Sequence, residues 1–205
     1  MDEYYAFFLE NFSPVNERLE VPESSITKYQ NKLPRQLLDY WAEHGWCGYA
    51  NGLFWTVNPY EYERVLEHWL ADIEGFQSGT YHVIARSAFG LLYVWGEQEG
   101  YCMTISSCLA RYSIRKSMFA VDNLDLGVQA FFASLIIESN DFDGLFKPAL
   151  KRLGALENDE IYGFVPALAL GGPIELNNLQ KVKVIEHLEF LSQLSPLQDW
   201  GFPEV

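Results

Sequence analysis

A chain of 205 residues that is 49% hydrophobic and 16% aromatic can bury a substantial core, which excludes disorder over most of its length. Its 28 acidic against 14 basic residues give a formal net charge of −14, which repels a phosphate backbone and disfavours direct nucleic-acid binding; it suits a basic partner or a merely soluble surface. The acidic start MDEYYAFF lacks the basic opening of an export signal, no apolar run reaches the ~18 residues of a membrane span, and three cysteines (Cys47, Cys102, Cys108) without framework spacing fit a reducing compartment, so a soluble cytoplasmic protein is expected.

In chain order, Asp2–Asn11 reads as a short aromatic helix. Ser13-Pro14 and Val21-Pro22 bound an extended connector. A helix begins at Leu33-Pro34, with proline suited to its first turn, Leu37, Leu38 and Trp41 on its apolar face and Gly45 at its end. Gly52–Val57 reads as a short strand. Asn58, Pro59 and Glu61 resemble a capping box, and Tyr62, Val65, Leu66, Trp69 and Leu70 recur at helical spacing behind it. Strand-like runs follow at Tyr81–Ala88, Leu91–Trp95, Tyr101–Ser106 and Ala110–Arg115; connections this short require antiparallel pairing. Composition shifts near Met118–Leu124. Beyond it, Val128, Phe131, Phe132, Leu135 and Ile136 mark a second amphipathic helix, Pro148 sits in the first turn of another that ends before Gly154, and a strand at Leu179–Val184 leads into a last helix at Ile185–Leu194. The expected class is α+β: an antiparallel sheet with flanking helices over residues 1–118, and a mostly helical part over 119–205 packed on it.

One stretch resists periodicity. DEIYGFVPALALGG, Asp159–Gly172, fits neither the helical nor the strand repeat, and Pro166 argues against a long helix or central strand through it. It reads either as a thread through the core or as a docking surface.

Catalytic signals are weak: there is no phosphate loop, nucleophile elbow or zinc-binding helix motif. His44, His68, His82 and His187 are scattered, with His44 and His68 in last turns where an imidazolium suits the helix dipole. The carboxylate pairs Glu97/Glu99, Asp141/Asp143 and Asp159/Glu160 fit solvated turns and caps better than general acid–base or metal chemistry. No enzyme activity, cofactor or metal is expected. The cluster Tyr40, Trp41, Trp46, Tyr49, Phe54 and Trp55 reads mainly as core, with Trp46 and Tyr49 kept as candidate interface anchors.

Two blocks carry a family resemblance. LPRQLLDYWAEHGWCGYANGLFWTVNPYEYERVLEHWL (33–70), with IARSAFGLLYVW (84–95), resembles the GAD-like domain, named for its similarity to a domain inserted in bacterial aspartyl-tRNA synthetases and an amidotransferase subunit. LGALENDEIYGFVPALALGG (153–172), continued by NLQKVKVIEHLEFLSQL (178–194), resembles the C-terminal domain of type VI secretion immunity proteins that neutralise DNase effectors. The resemblance covers roughly residues 3–195 and implies a GAD-like domain over 1–118 and an immunity domain over 119–205. It further implies a non-enzymatic cytoplasmic protein that binds a basic DNase toxin stoichiometrically. As a shared signature it also favours a buried Tyr162–Leu170. The acids weighed for toxin contact are Asp72, Glu74, Glu97, Glu99, Glu157, Asp159 and Glu160. A tRNA-associated accessory module and a carboxylate-based hydrolase are the alternatives.

Overall fold

The computed structural model describes residues 2–77 and 79–200. Asp2 starts the first helix, α1 (Glu3–Asn11), by accepting the Tyr4 and Tyr5 amides on its carboxylate at 3.0 Å each, which satisfies two otherwise orphaned donors. The connector expected between the proline pairs is a strand, β1 (Pro14–Leu19), and a short helix, α2 (Glu23–Tyr29), begins directly after Pro22. Neither declares itself in sequence: β1 is a sheet edge, where proline is tolerated, and a seven-residue helix shows barely two turns of periodicity. α3 (Arg35–His44) follows Pro34 and stops at Gly45, whose φ of +73° suits glycine; a Cβ there would lie 2.4 Å from the Leu19 carbonyl oxygen. β2 (Trp46–Tyr49) pairs with β3 (Phe54–Thr56), which is shorter than the strand read from 52–57.

α4 (Pro59–Leu70) forms as its periodicity predicts. Asn58 accepts the Tyr60 amide at 3.2 Å, while Glu61 lies 3.5 Å from the Asn58 side-chain amide and does not close a box on the backbone. The meander follows as β4 (Tyr81–Ser87), β5 (Leu91–Gly96), β6 (Gly100–Ser106) and β7 (Arg111–Ile114), antiparallel throughout. The remaining elements are α5 (Leu124–Ala133), α6 (Phe146–Leu153), β8 (Glu160–Phe164), β9 (Leu179–Lys183), α7 (Val184–Leu194) and β10 (Gln198–Asp199).

Strands β1 to β7 lie side by side in sequence order, and β10 adds to β7 in parallel to complete eight strands. Both faces are covered. On β5, Leu92 and Val94 point one way and Tyr93 and Trp95 the other, and all four are buried, as a central strand with two dry faces requires. One face carries α1, α3 and α5 over an aromatic core that includes Tyr5, Phe8, Trp41, Phe54 and Phe132. The other carries α4, α6, α7 and the β8–β9 hairpin over Val65, Leu66, Phe146, Tyr162 and Leu188. The fold is α+β as expected. The C-terminal part is not helical alone, since it also supplies the hairpin and an edge strand, and it contributes to both cores.

Asp159–Gly172 divides. Its first third is β8, with Ile161, Tyr162 and Phe164 buried; Ala167 is buried too, but Val165 is 39% and Leu170 60% exposed. The buried reading of Tyr162–Leu170 therefore holds for Tyr162–Phe164 and fails for Val165 and Leu170. β8 is buried from Ile161 through Phe164, where its pairing with β9 ends.

Candidate functional site

The acids weighed for toxin contact separate into two groups at opposite ends of β4. At its start, α2 and the Thr27–Lys32 region, one flank of α4 and the α4–β4 loop enclose a groove of about 430 Å³. Leu66, Leu70 and Phe76 supply apolar walls, and Lys28, Lys32, Glu63 and Glu67 supply charge. The placement follows from α4's own repeat: Glu63 and Glu67 stand one turn apart beside the buried Leu66, so the helix turns an acidic margin to solvent next to its apolar stripe. Tyr81 and His82, the first residues of β4, close the inner end.

His82 is 3% exposed and stacks edge-on against Tyr29. Its Nε2 lies 2.9 Å from Glu97, while its Nδ1 is buried without a hydrogen-bond partner. Burial holds its pKa below the usual 6.5 against the opposing pull of Glu97. Glu97 also lies 3.6 Å from Lys32, and Lys28 pairs with Glu63 at 2.8 Å while its ammonium stands over the Tyr60 ring. Asp72 and Glu74 are exposed on the loop that walls the groove, and exposed Glu99 sits in the β5–β6 turn beside Tyr81. None of these four acids lines the groove: Glu97 contacts its residues His82 and Lys32, Glu99 lies beside Tyr81, and Asp72 and Glu74 are on the neighbouring loop.

The other three lie near Arg86, which stands four residues, about 13 Å of strand, beyond His82 on β4. There Arg86 is fully buried, with no carboxylate at ion-pair distance among the described residues. Its Nε donates to the Tyr62 hydroxyl at 3.0 Å, its Nη2 to the Asn158 carbonyl at 2.7 Å, and its guanidinium lies 5.0 Å from the Trp55 ring centroid. It therefore ties the segment leading into β8 to the sheet. Beside it a second groove, about 700 Å³, is lined by Trp46, Trp55 and Leu156, with Arg18 and Glu157 at its charged margin. Asp159 pairs with Lys183 at 2.6 Å. Glu160 pairs with Lys181 at 3.0 Å and accepts the Glu157 amide; these outweigh burial and hold its carboxyl below the ordinary value.

Trp46 and Tyr49, weighed as anchors, are buried at 7% and 1% exposure. Trp46 packs edge-on against Trp41, and the Tyr49 hydroxyl meets that of Tyr5 at 2.8 Å, with burial pushing the Tyr49 pKa up to about 12. Both belong to the aromatic core because β2, unrecognised in the sequence, turns them inward. Sequence reasoning also passed over Lys28, Glu63, Glu67 and Arg86. The Glu63/Glu67 spacing beside an apolar stripe was the available signal; Arg86 had none, since an arginine in a strand usually faces water. The expected imidazolium at the end of α3 is not favoured either, because burial lowers the His44 pKa. Among the described residues no group of three or more His, Cys, Asp or Glu is placed to hold a metal ion, and no helix is long and apolar enough to cross a membrane.

A two-faced, mostly antiparallel sheet flanked by helices defines an α+β protein. Residues 3–109 match the GAD-like domain and residues 125–195 match the C-terminal domain of T6SS immunity protein Tdi1. The chain belongs to the GAD-like family and carries the type VI immunity domain behind it, which supports an immunity-protein role. Its fold is shared with the crystal structure of Atu4351 from Agrobacterium tumefaciens, at 23% identity and a TM-score of 0.87, over 97% of this chain and 94% of that one. No curated protein matches.

Proposed function

We propose that the protein binds a cognate secreted DNase in the cytoplasm and inhibits it by forming a stoichiometric protein–protein complex. The observation that carries this reading is the immunity-domain match over residues 125–195. The charge of the chain supports it: a nuclease needs a basic surface to hold DNA, and an inhibitor with a formal charge of −14 is drawn to that surface and competes for it. Attraction between opposite net charges also speeds encounter, so the toxin meets its inhibitor before it meets the chromosome.

The test is co-expression with a secreted DNase of the same producing cell, chosen as the candidate toxin. Cells carrying both are expected to survive and cells carrying the nuclease alone to die; equal killing in the two cases would sink the reading. In purified form the two proteins should titrate to a one-to-one end point, and association should slow by about tenfold or more between roughly 50 and 500 mM salt.

A further inference from the structure

We propose that a third groove, where the end of β4 and the β4–β5 turn meet the α5–α6 connection and Trp200, receives a basic side chain of the toxin, arginine or lysine. This deepens the reading of the protein as an inhibitor of a basic nuclease and rests on it.

The groove encloses about 350 Å³ and its lining is largely apolar. Phe89, buried in the β4–β5 turn, packs against Phe142 of the α5–α6 connection with ring centroids 5.4 Å apart. Two further lining side chains are large, apolar and left in water: Ile174 is 55% and Trp200 45% exposed. The Trp200 amide donates to the Tyr112 carbonyl at 2.8 Å, so the backbone that carries this exposed indole is tied to the sheet. Such surfaces suit the methylene stem of arginine or lysine, and a tryptophan face attracts the cation at its end.

Charge selects the occupant. The charged residues of the lining are Glu138 and Asp143, both exposed, and neither carboxylate has an ion pair or hydrogen bond among the described residues. The arginines of the adjoining clefts are held elsewhere: Arg111 donates to the Asp199 carbonyl at 3.2 Å, and Arg115 stands over the Tyr101 ring. The grooves at the start of β4 and beside Trp55 differ, since each sets lysine or arginine against its own acids. An apolar cleft whose lining charges are two free carboxylates is complemented by a cation and repels an anion.

Two variants probe the groove differently. Glu138→Gln with Asp143→Asn removes both charges and keeps the shape, asparagine being tolerant of the φ of +55° at position 143. Trp200→Ala removes the exposed ring and leaves the charge unchanged. As a control, Glu3→Gln with Glu10→Gln makes the same change in net charge at exposed positions of α1, over the other face of the sheet. Each full-length variant is titrated into the catalytically inactivated candidate DNase of the same producing cell, after circular dichroism confirms its fold. Both groove variants are expected to weaken the Kd by about tenfold or more, and the α1 control by no more than about threefold. Full affinity in either groove variant would overturn the proposal while leaving the inhibitor reading intact. So would equal losses from the groove acids and the α1 acids, which would reduce the effect to net charge. Groove variants that change the chain's own sedimentation but not its affinity for the DNase would assign the groove to a second copy of the chain, and overturn the proposal as well. Failure of the unmodified chain to bind would instead overturn the inhibitor reading itself, and this inference with it.

Discussion

Arg86 shows how a single side chain joins the two halves of the protein. A guanidinium cannot shed its proton at any ordinary pH, so burying it requires donors to be met, and Tyr62, Ser87 and Asn158 meet them. Arg86→Met keeps the volume but leaves the Tyr62 hydroxyl and the Asn158 carbonyl without their charged partner. It is expected to destabilise the protein by about 2–3 kcal/mol in urea unfolding, the scale of hydrogen bonds to charged groups. Buried His82 and half-buried His187 predict a pH response. Burial holds His82 and His187 below 6.5 in the folded state, so the unfolded chain takes up protons first as the medium is acidified. Their contribution to stability is full above about pH 6.5, falls as pH drops through that value, and goes on falling until the folded-state values are reached. The urea midpoint should therefore be lower at about pH 5.5 than at about pH 7.5, and His187→Gln should flatten the difference. A midpoint unchanged over this range would contradict neutral buried imidazoles.

At the scale of elements, helix ends reveal what the periodic middles conceal. α1 and α4 carry their own caps, Asp2 and Asn58, and at α4 the cap signal is legible from sequence. α3 has proline at its N-cap and no side chain of its own to accept its first amides. Asp125, in the first turn of α5, supplies the acceptor from a distant part of the chain: the Gln36 amide donates to its carboxylate at 2.8 Å. Asp125→Ala is expected to cost about 1 kcal/mol, as loss of a local cap does, and to lower the thermal midpoint by a few degrees; no change would show that water replaces the carboxylate there. The same logic explains the mixed fate of Asp159–Gly172. Its residues are buried where β8 pairs with β9, and surface again where that pairing stops.

Over the whole molecule, residues on either side of position 118 share both cores. Trp95 of the sheet lies with Val128 and Phe132 of α5, and Leu92 and Phe89 lie with Tyr162 and Leu188. A fragment of residues 1–118 would expose part of both sheet faces, since it lacks α5 on one face and α6, α7 and the β8–β9 hairpin on the other, and edge strand β10. It is expected not to fold independently; a dispersed amide spectrum and a cooperative melt from that fragment would show the contrary. Sequence by itself determined the α+β class, the capped amphipathic helices, the antiparallel meander and the two family signatures. The first three rest on repeats, caps and turns set by residues a few positions apart, and the signatures on resemblance. Only the tertiary structure decided that Trp46 and Tyr49 are buried, that an arginine pins the seam, and that Glu97 meets both His82 and Lys32. Each of those outcomes depends on which distant segments meet, and a strand's inward and outward residues exchange faces with a register shift of one, which local sequence does not record.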